Sequence, residues 1–295
     1  MRHTTNAAVS QSVSQSIHPA TQLGPVTIRV ADVSRSAGFY EEALGFRSVG
    51  RARGLPALGG QGSDSPIVLL QETPGARPAR QASGLYHFAI LVPSRPALGR
   101  VLRRLAKAGV QIGEADHLVS EALYLSDPDG NGIEIYRDRP RDQWGWSNGA
   151  VQMATEPLDL EDLLREAEID PGEPDGLPAG TRIGHVHLQV SDVRKAVEFY
   201  HGILGFDVVA QWQGAAFLSA GGYHHHIGLN SWSSRGQPPA PPGSSGLESF
   251  VVTVPTGEEK ERLAGRLREA GVQAAEADGA LRVRDPWNIV VEVSR

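Results

Sequence analysis

Hydrophobic and polar positions alternate along this chain in short runs that predict strands and amphipathic helices. Residues 86–92 are almost wholly apolar, which is typical of a buried strand. Residues 96–108 carry apolar side chains at helical spacing, and we expect this helix to end at Gly109. The apolar positions are Leu98, Val101, Leu102 and Leu105. Short apolar runs return over residues 124–136, around an Asp-Pro-Asp-Gly turn. The stretch from 86 to 136 is therefore predicted to be one strand–helix–strands unit.

The same pattern occurs four times. Residues 24–72 form a first unit, with a strand, a helix start at Asp32 and a helix exit at Gly45. These positions return 160 residues later as Asp192 and Gly205, and the unit at 86–136 returns near the end of the chain. A second half that repeats the first indicates a tandem duplication. We number the units modules one to four in chain order.

Paired modules of this kind most economically share a curved sheet with a cup inside it. The predicted fold class is α+β, with two pseudo-symmetric cupped-sheet domains. The predicted boundaries are a disordered tail at 1–21, a first two-module domain at 22–137, a connector at 138–181 and a second two-module domain at 182–295. The connector contains a short helical candidate at 160–167.

The composition and net charge limit the kinds of molecule that this protein is expected to bind. A net charge of −6 favours neither nucleic acid nor an anionic membrane, so a small molecule is the expected partner. No run of about 18 apolar residues is present, and we expect a cytoplasmic protein; a homodimer stays open. Without cysteine, the strong metal ligands that remain are His, Asp and Glu.

Two candidate ligands stand near the two ends of module two. His87 lies on its first strand and Glu134 on its last, which makes two thirds of a 2-His-1-carboxylate site. His185 lies on the first strand of module three, at a position equivalent to His87. We therefore predict His87, Glu134 and His185 as the metal ligands.

The repeated signature from Asp192 to Phe206, Asp-Val-x-x-Ala-x-x-Phe-Tyr-x-x-x-Leu-Gly-Phe, resembles the vicinal oxygen chelate superfamily. Within it, the chain is most similar to the type I extradiol ring-cleaving dioxygenases. The resemblance implies four βαβββ modules, with one divalent metal held between paired modules by residues of their first and last strands.

The distribution of ligands favours pairing of module two with module three. Modules one and four offer few ligands at the equivalent positions, so their half is expected to be structural and metal-free. Pairing of modules three and four is the alternative, and it would make His185, His226 and Glu292 the ligands.

The dioxygenase resemblance also implies roles for other residues. His226 matches the acid–base histidine, because alternation along a strand would turn it into the cup and His225 away from it. Tyr124 matches the tyrosine that hydrogen-bonds the substrate oxygen, and His117 can replace a family histidine that is Gly113 here. The implied activity is Fe(II)-dependent cleavage of a catechol-type aromatic with O₂, with Mn(II) as the alternative metal.

Two other function classes stay open. A glyoxalase-like isomerase or a metal-dependent transferase would use the same fold, but typically has Glu or Gln where His185 and His226 stand. A metal-free binding protein would need none of the ligands.

Overall fold

The computed structural model describes residues 16–168 and 176–295. The strands in that part of the chain are β1 (Gln22–Val30), β2 (Arg47–Ala52), β3 (Leu55–Gly59), β4 (Val68–Glu72), β5 (Gly84–Leu91), β6 (Gly113–Asp116), β7 (Ser120–Ser126), β8 (Gly132–Asp138), β9 (Trp146–Ser147), β10 (Ala150–Val151), β11 (Arg182–Gln189), β12 (Asp207–Trp212), β13 (Ala215–Ser219), β14 (Ile227–Asn230), β15 (Gly246–Thr253), β16 (Ala274–Ala277), β17 (Ala280–Arg284) and β18 (Val290–Ser294). The helices are α1 (Val33–Phe39), α2 (Arg95–Lys107), α3 (Leu160–Glu166), α4 (Val193–Val197) and α5 (Gly257–Glu269). α1 and α4 continue as π-helical turns at Tyr40–Leu44 and Glu198–Ile203, and a 3₁₀ turn spans Arg141–Gln143.

Two curved eight-stranded sheets carry the four modules. The first has the order β16-β17-β18-β15-β1-β4-β3-β2, and the second has the order β12-β13-β14-β11-β5-β8-β7-β6. Module four thus shares a sheet with module one, and module three shares a sheet with module two. The predicted α+β fold with two cupped sheets is confirmed. Each sheet, however, takes one module from each half of the sequence.

The centre of the second sheet is the antiparallel pair β5 and β11. Its register sets His87 opposite His187 and His185 opposite Ala89. On the other side of β5, parallel β8 sets Glu134 beside Ala89. The three predicted ligands therefore lie on three adjacent strands at one level of the sheet.

The helices begin and end where local chemistry dictates. Asp32 and Asp192 cap α1 and α4 by accepting from backbone N–H groups one helical turn on. Ser94 caps α2 in the same way, and the four apolar positions predicted for this helix are all buried. Side chains from both sheets and from these helices form one contiguous hydrophobic core. This continuity makes the two sheets parts of one folded unit.

A repeated tyrosine–aspartate hydrogen bond joins the two sheets. Tyr40 of module one donates to Asp127 Oδ2 of module two at 3.1 Å, and Tyr200 of module three donates to Asp285 Oδ2 of module four at 2.9 Å. In each pair the other carboxylate oxygen accepts two backbone N–H groups of its own turn. The Phe-Tyr and Asp-Pro motifs of the sequence thus form one buried contact between consecutive modules.

The cup of modules one and four contains two ion pairs that share one carboxylate. Glu292 lies at the position equivalent to Glu134, and its carboxylate accepts from Arg53 Nη1 at 2.5 Å, Arg282 Nε at 3.2 Å and Ser249 Oγ at 2.8 Å. Two guanidinium groups therefore occupy the surroundings of this carboxylate, where the other cup has histidines. The alternative ligand set of His185, His226 and Glu292 is therefore wrong. Glu292 is paired with arginines, and His185 lies in the other sheet.

Residues 16–21 differ from the predicted tail. Most of that tail, residues 1–15, lies outside the described residues. Ile17 is buried, its N–H donates to Gly205 O at 2.7 Å, and His18 N donates to Glu259 Oε1 at 2.9 Å. The sequence expectation was wrong here because a few apolar contacts in a polar stretch leave no periodic pattern.

The connector is ordered over most of its length. Helix α3 forms where it was predicted and packs on α2 at Gly99, where a Cβ atom would lie 2.4 Å from Leu163 O. Residues 169–175 lie outside the described part. No helix among the described residues is long and apolar enough to cross a membrane.

Candidate metal centre

Three buried side chains converge on one point in the cup of modules two and three. Glu134 Oε2 lies 3.0 Å from His87 Nε2 and 3.0 Å from His185 Nε2, and the two nitrogens are 3.3 Å apart. All three residues are at most 6% exposed. The structure thus brings together the three residues predicted as metal ligands.

The charges of this group are those of a ligand set. Burial raises the pKa of Glu134, but the neighbouring His185 and His87 outweigh it and hold this pKa well below its usual range. Burial lowers the pKa of His185 to about 4 despite the nearby carboxylate. Near neutral pH the site therefore combines an anionic carboxylate with a neutral imidazole at His185. Neutral imidazole and carboxylate are the forms in which these side chains bind a metal.

The donor set fits a divalent transition metal. All three ligand atoms lie within 4.8 Å of one another. Small movements would therefore let each of them lie at the roughly 2.0–2.2 Å from one bound ion that is typical of metal–ligand bonds. Two His nitrogens and one carboxylate oxygen match the facial arrangement of non-haem Fe(II) sites, which leaves positions open for substrate and O₂. Among the described residues, Glu292 has instead two guanidinium groups and one hydroxyl as its hydrogen-bond partners.

His87 and Glu134 of this group line a cavity of about 640 Å³. Its lining is mainly apolar and aromatic, with polar groups near the histidines. The lining residues used below are Tyr86, His87, His117, Tyr124, Glu134, Met153, Ala154, His187, Trp212, Phe217, His225 and Trp232. A cavity of this kind suits a flat, largely apolar ligand with a few polar atoms.

Tyr124 and His117 form a hydrogen-bonded pair on the cavity wall. His117 Nδ1 lies 2.7 Å from the carbonyl oxygen of Ala154, which can only accept, so Nδ1 carries the proton. His117 Nε2 is then free to accept from the Tyr124 hydroxyl at 2.6 Å. Burial, together with the charge of Glu134, raises the pKa of Tyr124 well above its ordinary value. Tyr124 is therefore a protonated hydroxyl beside the metal centre.

The three consecutive histidines point differently from the prediction. His224 and His225 line the metal cavity, whereas His226 lines a separate, smaller cavity and accepts from Ala220 N through Nδ1 at 3.1 Å. The geometric expectation for His225 and His226 is wrong. Strand β14 begins only at Ile227, so the histidines belong to a turn and strand alternation does not apply to them.

The turn sets the protonation of His225. His224 Nε2 donates to Asp138 Oδ1 at 2.9 Å, so in the neutral ring its Nδ1 is unprotonated. That Nδ1 lies 2.8 Å from His225 Nδ1, which must therefore carry a proton and donate it. His225 Nε2 is consequently left with a free lone pair. The ring centroids of His225 and His185 are 4.0 Å apart, so the His225 ring lies beside a predicted metal ligand.

Sequence reasoning missed several other residues of the site. Asp138 was assigned only as the start of the connector, and Ala154 of the connector proved to hold His117. The aromatic ring of Tyr86 contacts those of His87, His187 and Trp232 at the mouth of the cavity. The His-His doublet was a usable signal for His225, but the assumption of a continuous strand misdirected it.

Comparison with known families assigns the chain to a superfamily. The model of the Glyoxalase/Bleomycin resistance protein/Dioxygenase superfamily matches residues 22–135 and 182–293. The chain belongs to this superfamily. The two matched ranges each contain two of the modules described above.

Individual relatives narrow the comparison. The chain is 45% identical over 276 residues to catechol-2,3-dioxygenase of Bacillus subtilis (strain 168), covering 92% of this chain and 96% of the relative. It is 28% identical over 224 residues to biphenyl-2,3-diol 1,2-dioxygenase of Pseudomonas sp. (strain KKS102), covering 70% of this chain and 67% of that protein. The solved structure of glyoxalase I from Zea mays covers 93% of this chain and is itself covered to 92%, with a TM-score of 0.55 and 16% identity. This last similarity concerns the fold alone.

Proposed function

We propose that this protein is an extradiol dioxygenase that opens the ring of a catechol-type aromatic with O₂. In this reaction the ring C–C bond beside one hydroxyl-bearing carbon breaks, and both atoms of O₂ enter the product. With catechol itself the product would be a yellow hydroxymuconic semialdehyde. The convergence of His87, His185 and Glu134, two of which line an aromatic cavity, carries the proposal. The 45% identity to a catechol-2,3-dioxygenase supports it.

Fe(II) is the proposed metal, with Mn(II) as the alternative. His87, His185 and Glu134 would hold it on one face. Bound there, the metal would supply adjacent positions for the catechol oxygens and for O₂. The ligand set carries a single negative charge, which leaves a divalent ion attractive to an anionic substrate.

His225 is proposed as the acid–base in place of His226. Burial lowers the pKa of His225 well below its ordinary value, so the ring is neutral and can accept a proton at Nε2. The hydrogen bonds through His224 to Asp138 would stabilise the imidazolium that results. His226 faces the other cavity and therefore cannot reach a substrate in this one.

Tyr124 and His117 are proposed to orient the substrate. The Tyr124 hydroxyl lies between His117 and the metal ligands, and can turn to donate to a catechol oxygen. His117 Nε2, released by that movement, can accept from a substrate hydroxyl. Donors aimed at an oxygen where negative charge develops lower the barrier most effectively in a site that excludes water.

The apolar walls fit an aromatic ring. The rings of Phe217 and His187 meet edge to face at 5.7 Å, and Trp232 and Tyr86 stand at the mouth. Offset and edge-to-face packing of a substrate ring against these groups is favourable by about 0.5–1.5 kcal/mol for each pair. These walls support a planar aromatic substrate over a small aliphatic one.

The experiment is oxygen consumption by the iron-loaded protein. Protein loaded with Fe(II) without air, mixed with catechol and then exposed to O₂ should take up one O₂ per catechol and turn yellow. Glu134→Gln should lose this activity and Glu292→Gln, its counterpart in the other sheet, should retain it. No oxygen uptake with catechols or hydroquinones, combined with isomerisation of a glutathione hemithioacetal, would replace this proposal with the glyoxalase alternative.

A cytoplasmic location and a homodimer are further proposals. Fractionation of cells and analytical ultracentrifugation, respectively, test them. A monomer that sediments with full activity would eliminate the homodimer.

A further inference from the structure

A second cavity lies behind the turn that carries the three histidines. Its volume is about 140 Å³, less than a quarter of that of the metal cavity. Residues 19–22 form one side of it, and the turn before β14 forms the other. The two sides touch at Gly221, where a Cβ atom would lie 2.2 Å from Pro19 O. A space of this size suits a ligand of a few heavy atoms rather than an aromatic substrate.

Two arginines supply positive charge to this cavity. Arg182 lines it, and no hydrogen bond or ion pair joins the Arg182 guanidinium to any described residue. Arg141 also lines it, with its guanidinium carbon 5.3 Å from the ring centre of Trp144 and 5.6 Å from that of Tyr223. Arg141 Nη1 donates to Gly221 O at 3.2 Å, which leaves its other N–H groups available.

Two neutral hydrogen-bond donors also line the cavity. The Thr21 hydroxyl is buried in a residue that is 2% exposed, and it has no hydrogen-bond partner among the described residues. A buried hydroxyl without a partner costs about 1–3 kcal/mol, so it calls for a ligand. His226 accepts a backbone N–H through Nδ1, which places its own proton on Nε2 as a further donor.

The acceptor capacity of the cavity is low. Asp138 is the acidic residue in the lining, and its carboxylate already accepts from Tyr223 Oη at 3.1 and 3.0 Å and from His224 Nε2 at 2.9 Å. Two cationic and two neutral donors thus line a space whose one carboxylate already accepts from two side chains. This excess of donors and positive charge is complementary to an anion.

We propose that this cavity binds a small oxyanion, of the size of formate, nitrate or phosphate, through Arg182, Arg141, Thr21 and His226. The occupant ties residues 19–22 to the turn that carries His225. Asp138 links the two cavities, because it lines this one and accepts from His224, which lines the metal cavity. The inference does not depend on the proposed dioxygenase activity, since it concerns a separate cavity and can be tested without substrate.

Thermal unfolding at increasing concentrations of sodium formate, nitrate and phosphate tests the proposal, with ionic strength held constant. For at least one of these anions, the wild-type midpoint should rise as the logarithm of one plus the ratio of the anion concentration to its dissociation constant, by about 2–5 °C at ten times that constant. Arg182→Met should abolish this rise. Arg194→Met, an exposed position in α4, should leave it unchanged and so reports general salt effects.

A second variant keeps the test decisive if Arg182→Met does not fold. Thr21→Val removes the unpartnered hydroxyl without changing the shape of the side chain, so the anion-free midpoint should stay the same or rise. The dissociation constant fitted to its midpoints should increase several-fold. The proposal is overturned if no anion raises the wild-type midpoint in this logarithmic way. It is equally overturned if the folded cavity variants respond like the wild type, which would place the anion outside this cavity.

Discussion

Replacing His225 by Phe should separate catalysis from metal binding. Phe keeps a ring next to His185 and Phe217, so packing around the metal ligands should persist. It removes the Nε2 lone pair that the hydrogen bonds from His225 through His224 to Asp138 leave free. Loss of a general acid–base lowers the rate by about 10²–10⁴-fold, which corresponds to about 2.7–5.5 kcal/mol of activation free energy.

The matched variant is His226→Phe, one residue further along the same turn. His226 accepts one buried backbone N–H, so its loss should cost about 1–3 kcal/mol of folding stability. Turnover should fall by less than about tenfold, since the side chain faces the second cavity. The assay measures metal content, thermal midpoint and the initial rate of yellow product formation under air for both variants.

The two variants differ in turnover if the geometry is decisive. His225→Phe should retain metal but lose turnover, whereas His226→Phe should retain both. Each change breaks one buried hydrogen bond, so the midpoint should fall in both variants. A loss of turnover confined to His226→Phe would refute the assignment of His225 as the acid–base. Wild-type rates in both variants would refute the role of this turn in proton transfer.

Three further predictions concern the metal, the pH dependence of stability and the backbone at the site. Glu134→Gln should lower iron affinity at least about 100-fold while Glu292→Gln leaves it unchanged, as measured by metal content after dialysis, and equal loss in both would contradict a single centre. Burial raises the pKa of Asp285 from 3.8 to about 6 despite two backbone hydrogen bonds, so the folded state binds more protons than the unfolded state between these values. This contribution to stability is present below about pH 4 and is lost as the pH rises through 6; the loss is roughly 3 kcal/mol. Asp285→Asn should remove this part of the pH dependence of the free energy of unfolding, as measured by urea titrations from pH 4 to 7. Gly184→Ala would place a Cβ atom 1.7 Å from the buried Tyr136 hydroxyl and should cost about 1–3 kcal/mol in the same titrations, so an unchanged midpoint would show that Tyr136 moves freely.

The sequence by itself determined the modules and the ligand types. The repeats placed Asp32 and Asp192 at helix starts because capping is local chemistry, and both cap helices in the structure. His87 and His185 could be chosen from ten histidines because they occupy equivalent first-strand positions. The uneven distribution of ligands also favoured one pairing of modules, and that pairing is the one in the second sheet.

Only the tertiary structure decided what depends on the path of irregular backbone and on contacts distant in sequence. The orientation of His225 follows from a turn that a strand-based rule cannot describe. Arg53 and Glu292 are 239 positions apart, so their ion pair could not be found from spacing. The same holds for Thr21 and Arg182, which line one cavity only because residues 16–21 pack against the second half of the chain. Periodicity records local structure, whereas these contacts arise from how complete sheets and segments pack together.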